Sequence, residues 1–196
     1  MTRHYCGVAP DHQIRPATDG DLPALAGALG QETFFADRLR RQHAGLGVLL
    51  TAWAGDEPGT EPVDGEPADA EPVGVVYVWL EEAEERELRE HLPGVPLLNH
   101  LEVRDGWRNQ LIGTSIIHAA ESLLVGKGFK QVALGIRLDN LDAARLYERL
   151  GYAEWEHGEI ETSYVVFLAD GGEDRAPEMC RILVKDLPPT AAATEG

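Results

Sequence analysis

The residues Arg108-Asn109-Gln110-Leu111-Ile112-Gly113-Thr114 carry a compact polar turn straight into an apolar run. The first amides of a helix have no partner inside it and point outward, and the helix dipole favours negative charge there, so such a turn can surround phosphate oxygens. Gly113 would permit close approach, Thr114 would add a hydroxyl and Arg108 a charge-assisted contact. A plain turn with Arg108 in solvent and Gly113 packed is the alternative for the same residues. Neither GxGxxG nor GxxxxGK followed by Ser or Thr is present. Further on, NLDAARLYERLGY runs from Asn140 to Tyr152, and its Tyr147 could finish the chemistry of a phosphate-bearing cofactor with a phenol.

These residues need elements to hold them. Leu97–Val103 reads as a strand entering the turn at Asp105–Gln110, and Ile116, Ile117, Ala119, Ala120, Leu123 and Leu124 give the helix after it a broad apolar face, stopped at Gly126-Lys127-Gly128. Gln131–Ile136 reads as the next strand, and Asn140 or Asp142 starts a short helix to Leu150. Upstream, His12–Pro16 forms a short first strand, Leu22, Leu25, Ala26 and Leu29 mark a helix begun near Asp19–Asp21, and a second helical segment runs from Phe34 to Gly47. Val48–Ala54 and Val73–Leu80 are strands joined by a Pro-, Gly- and acid-rich interval. Glu81–His91 is helix-permissive. Tyr164–Leu168 and Arg181–Val184 are late strands separated by an acidic loop. Interleaved strands and helices predict an α/β (α+β) layer structure with a mixed sheet. One domain is expected over residues 1–190, with a flexible acidic insertion at 56–72 and a disordered tail at 191–196.

At 196 residues, with 43% hydrophobic side chains, the chain can build one sizeable core. Its formal net charge of -17 repels nucleic acid and anionic membrane surfaces at long range. Glu81, Glu82, Glu84, Glu85, Glu87 and Glu90 crowd one segment, which reads either as solvated surface or as a grip for a cationic substrate. Cys6 and Cys180 are far apart and lack metal-like spacing, so no metal is expected. With no secretory segment and no apolar run near the length of a membrane span, a cytoplasmic location is the simplest expectation.

Taken together, the two motifs give the chain a strong resemblance to the GCN5-related N-acetyltransferase superfamily. The Arg/Gln-x-x-Gly-x-Gly/Ala pyrophosphate loop of that family matches Arg108, Leu111 and Gly113, with Leu111 standing where the first loop glycine is usual. The family's later Asn…Ala…Leu-Tyr-x-x-Leu-Gly-Phe/Tyr segment matches Asn140, Ala143, Ala144, Leu146, Tyr147, Leu150, Gly151 and Tyr152. The resemblance is strongest over Leu97–Tyr152. It implies a single-domain fold with a partly splayed sheet, and acetyl-CoA as acyl donor. The pyrophosphate would meet amides from Gln110 through Ile112 and Gly113 to Thr114. The pantetheine arm would run along Leu101 and Val103, and Asn140 would cap its helix or orient the cofactor. Tyr147 would donate to the departing CoA sulfur.

Acetyl transfer to an amine also needs a base, because the amine is mostly protonated near neutral pH. Glu102 and His100, two residues apart on one strand, are the candidates, and on a regular strand they share a face. A residue from the Glu81–Glu90 segment, or no dedicated base, is the other reading. The acidic surface favours a small cationic amine as acceptor. The alternatives are a protein or peptide amine, and a non-catalytic acyl-CoA sensor or interaction domain. The late strands offer an edge for a homodimer, slightly favoured over a monomer.

Overall fold

A computed structural model describes residues 12–55, 70–167 and 173–189. The strands are β1 (His12–Pro16), β2 (Gly47–Ala54), β3 (Glu71–Trp79), β4 (Leu97–Val103), β5 (Gln131–Arg137), β6 (Ala153–Phe167) and β7 (Glu173–Asp186). The helices are α1 (Leu22–Leu29), α2 (Glu32–His43), α3 (Arg86–His91), α4 (Ile112–Gly126) and α5 (Leu141–Arg149). One mixed sheet has the order β1-β2-β3-β4-β5-β7-β6. All neighbours are antiparallel except β4 and β5.

Strand alternation divides the core. Val76, Val78, Leu98, Val132 and Leu134 face α4 and α5, where Ile112, Ile116, Ile117, Ala120 and Leu124 make one helical stripe. Val75, Tyr77, Trp79, Leu97 and Ala133 face the other way, against Leu25, Phe34, Phe35 and Leu39 of α1 and α2. A Cβ on Gly74 would come within 2.8 Å of Ile116 Cδ1 and 3.0 Å of the Glu102 carbonyl, so this glycine lets α4 lie close over β3 beside β4.

Beta4 and β5 meet only at their starts. Their single registered pair is Leu97 with Ala133, where the Ala133 amide donates to the Pro96 carbonyl at 3.0 Å. Beyond it the two parallel strands part within the sheet, leaving a row of main-chain groups on β4 open toward the side where α4 and α5 begin. The expected splay is present.

Several expected boundaries move. The acidic insertion expected at 56–72 is shorter at its end, because Glu71 and Pro72 already pair with Ala54 and Trp53; residues 56–69 lie outside the described residues, as does the expected tail at 191–196. The acidic loop expected between Leu168 and Arg181 is strand from Glu173 onward, with Asp174 to Glu178 paired across from Val166 to Thr162. Backbone pairing between neighbouring long strands overrides the low strand preference of their Asp, Glu and Pro residues. The second helix ends at His43, and within Glu81–His91 only Arg86–His91 is helical.

Candidate active site

The turn between β4 and α4 takes positive φ at Gly106 (87°), Asn109 (62°) and Leu111 (65°). It is closed by its own residues: the Trp107 amide donates to the Arg104 carbonyl at 3.0 Å and Gln110 Nε2 donates to the Gly106 carbonyl at 2.8 Å. Arg108 Nε donates to the Val103 carbonyl at 3.1 Å, and its Nη1 is 3.1 Å from Asp105. The first helical hydrogen bond runs from the Ser115 amide to the Leu111 carbonyl, 2.9 Å. Among the described residues, no protein acceptor engages the amides from Asn109 to Thr114. Leu111 adopts the left-handed conformation that glycine takes without strain, and its side chain is 63% exposed. A Cβ on Gly113 would meet Val103 Cγ2 at 3.6 Å and Leu146 Cδ2 at 3.9 Å, which puts the start of α4 beside both β4 and α5.

Beta4 is not regular. Its register against β3 shifts by one residue between Asn99 and Glu102, with His100 at φ 55°. This bulge re-aims His100, and the expectation of a regular strand at this point is corrected. The Arg104 amide donates to the Val73 carbonyl at 2.9 Å, so by alternation Val103 and Leu101 turn their amides to the open edge. His100 Nε2 lies 3.1 Å from Glu102 Oε2, a close contact not aligned as a hydrogen bond. Gln31 Nε2 donates to the same oxygen at 3.1 Å. The contact with His100 holds the Glu102 carboxyl below its ordinary range, against the opposing effect of burial, with Gln31 and Arg108 adding to the lowering. Phe34 from α2 lies against His100, ring centroids 4.1 Å apart. A cavity of about 300 Å³ borders this group, lined by Ala28, Leu29, Glu102, Val103, Asp105 and Arg108 among others. Sequence reasoning missed Gln31; its only signal was a polar residue following Gly30 between two helices, which says nothing of a partner on β4.

Tyr147 is buried on α5 in the cluster that holds Ile112, with Leu101, Val103, Trp107 and Leu146 at its margin. Burial pushes its phenol well above the usual tyrosine range, so the hydroxyl stays protonated at any working pH. Asn140 caps α5, its side-chain oxygen accepting from the Ala143 amide at 3.1 Å. Behind Tyr147 stands Tyr152, edge to face at 5.3 Å. The Tyr152 hydroxyl donates to Glu121 at 2.9 Å, and Lys185 Nζ holds both oxygens of that carboxylate at 2.8 Å.

Other charged side chains near the start of α5 are paired among themselves, Arg137 with Asp139 and Arg145 with Asp142. In the acidic segment Glu81 is paired with Arg41, Glu84 with Arg175 and Glu90 with Arg86. A larger cavity, about 650 Å³, lies at the opposite ends of the strands between Val95, Pro96, Phe129, Lys130 and Leu187. It borders none of the residues described above as candidates. No three His, Cys, Asp or Glu side chains among the described residues group to hold a metal ion, and no described helix is long and apolar enough to cross a membrane.

A donor-rich helix start, an open strand edge leading from it, and a buried phenol alongside are features that suit an acyl donor on a phosphate-bearing carrier. The acetyltransferase (GNAT) family model matches residues 29–152, and the chain belongs to that family. It is an acetyl-CoA-dependent N-acetyltransferase. Among solved structures it is similar to Arabidopsis thaliana NAA60 in complex with acetyl-CoA, with 18% identity, coverage of 90% of this chain and 98% of that chain, and a TM-score of 0.62. It is also similar to the PaiA N-acetyltransferase from Thermoplasma acidophilum in complex with coenzyme A (13% identity, 90% and 99%, TM-score 0.58). The ribosomal-protein-S18-alanine N-acetyltransferase from Escherichia coli is a third such structure (15% identity, 93% and 98%, TM-score 0.56). At these identities the likeness is one of fold. No curated protein matches the sequence.

Proposed function

We propose that this N-acetyltransferase moves the acetyl group of acetyl-CoA to a primary amine of a small molecule that is cationic at its reacting end. The observation that carries the reading is the set of amides from Asn109 to Thr114 without protein acceptors, beside a β4 edge that β5 leaves unpaired. Gln110, Leu111, Ile112, Gly113 and Thr114 hold the pyrophosphate through their amides. Leu101 and Val103 present main-chain groups to the amides of the pantetheine arm. Glu102 stays ionised and attracts the ammonium; His100, in contact with it, takes the proton that must leave before the amine attacks. Tyr147 supplies a proton to the CoA thiolate as the carbon–sulfur bond breaks and the amide bond forms. That the neighbours include enzymes named for a protein substrate keeps a protein amine as the second reading of the acceptor.

The test is calorimetric titration of the purified protein with acetyl-CoA, followed by a free-CoA assay over a panel of amines. Saturable binding and amine-dependent CoA release are expected. Binding without release across small amines and basic peptides alike would overturn catalysis in favour of a sensor.

A further inference from the structure

The α2-facing side of the sheet buries an arginine in an unusual way. The Arg38 side chain is 14% exposed, yet it makes no hydrogen bond to any described residue, and its buried Nε has no partner. Its nearest carboxylate is Asp37 at 3.3 Å, and Asp37 also serves Arg40 and Arg41. Desolvating a guanidinium without hydrogen bonds is costly, so the group needs a reason to be there. Three rings hold it: its central carbon lies 4.8 Å from the centroid of Phe34, 4.9 Å from Tyr77 and 5.5 Å from Trp79. Rings stacked on a guanidinium fix its plane and leave its in-plane donors free, which is how arginine is presented to a carboxylate through two parallel bonds.

The neighbouring polar atoms are of the same kind. The Tyr77 hydroxyl and the Trp79 indole N–H are buried and also lack partners. Tyr77 is accommodated because residue 47 is glycine; a Cβ there would come 2.1 Å from the hydroxyl. Phe34 touches both Arg38 and the His100 imidazole, so this group of donors is one aromatic ring away from the proposed base. Arg41 and Glu81 are the other charges acting on Arg38, and they are spent on each other.

We propose that Arg38, held in place by Phe34, Tyr77 and Trp79, binds through its terminal nitrogens a carboxylate carried by the acceptor, which makes the acceptor an amino-carboxylate whose amine end lies at His100 and Glu102. Arg38 is then a specificity-determining residue. This rests on the acetyltransferase reading above and narrows its acceptor class to a zwitterion.

The experiment compares kcat/KM for α-amino acids and their carboxamides with the full chain, after acetyl-CoA binding has been measured separately. A preference of at least about tenfold for the carboxylate is expected in the wild type, falling toward a ratio of one in Arg38→Met and partly retained in Arg38→Lys. Equal values in the wild type, or a preference that survives in folded Arg38→Met, would overturn the proposal. Where no member of the panel turns over, calorimetry of the amino acids against the CoA-loaded wild type decides, and an absence of binding overturns it. Failure to bind acetyl-CoA would instead remove the reading on which it rests.

Discussion

At the scale of single residues, Leu111 and Tyr147 show different kinds of legibility. Leu111 stood out in the sequence as a departure from a glycine, and the structure explains the usual glycine: this position has φ 65°. An L residue pays about 1–2 kcal/mol there, and an exposed leucine has little packing to offset it. Leu111→Gly is therefore expected to raise stability by about 1 kcal/mol in urea denaturation, while Leu111→Ala, which keeps a Cβ, does not. Tyr147 was legible from the LYERLGY run, but its burial, which keeps the phenol protonated, was not. Tyr147→Phe is expected to lower kcat by about 10²-fold with acetyl-CoA affinity within roughly twofold of wild type. A kcat unchanged in stopped-flow and steady-state assays would refute a donor role.

Elements were legible where periodicity is strong and contacts are local, as in α4 and α5. They were misread where pairing is distant. The acidic stretch Glu173–Glu178 has no local reason to be a strand and becomes one because β6 lies alongside it. The bulge at His100 was equally hidden, since it depends on the register against β3. The entry to α1 is a local case with a measurable consequence. Asp21 accepts from the Thr18 amide at 2.7 Å and its hydroxyl at 2.8 Å, and Arg15 forks onto both carboxylate oxygens at 2.7 and 2.9 Å. The Arg15 hydrogen bonds, opposed by burial and helped by Thr18, bring the Asp21 pKa from 3.8 to about 2. A carboxyl whose folded pKa is lowered stabilises fully above its unfolded value and loses that contribution as pH falls through the folded one. Asp21→Asn should cost about 1 kcal/mol at pH 7, solvent screening included, and the difference from wild type should vanish as pH falls from about 5 to 2 in denaturant titrations.

At the scale of the whole molecule, the two faces of the sheet have separate tasks. The α4 and α5 side is an apolar core with a part-buried polar group at its edge: Glu121 on α4, Lys185 on β7 and Tyr152 after α5. Removing one member leaves the others uncompensated. Glu121→Leu is expected to destabilise by about 1–2 kcal/mol, and adding Lys185→Met to recover part of that loss, as a double-mutant cycle in guanidinium would show. The α1 and α2 side carries Gln31, Phe34, Arg38, His100 and Glu102, from segments far apart in the chain. The sequence alone was enough for the family, the α/β class and the acyl donor, because those are carried by short runs whose spacing is local: a helix start, a cap, a tyrosine on a helical face. Only the tertiary structure decided where β4 leaves β5, how His100 meets Glu102 and Gln31, and why Arg38 is buried without a hydrogen bond. Each of those depends on strand register and on the packing of helices against a sheet, and such contacts join residues whose separation along the chain carries no signal of their nearness in space.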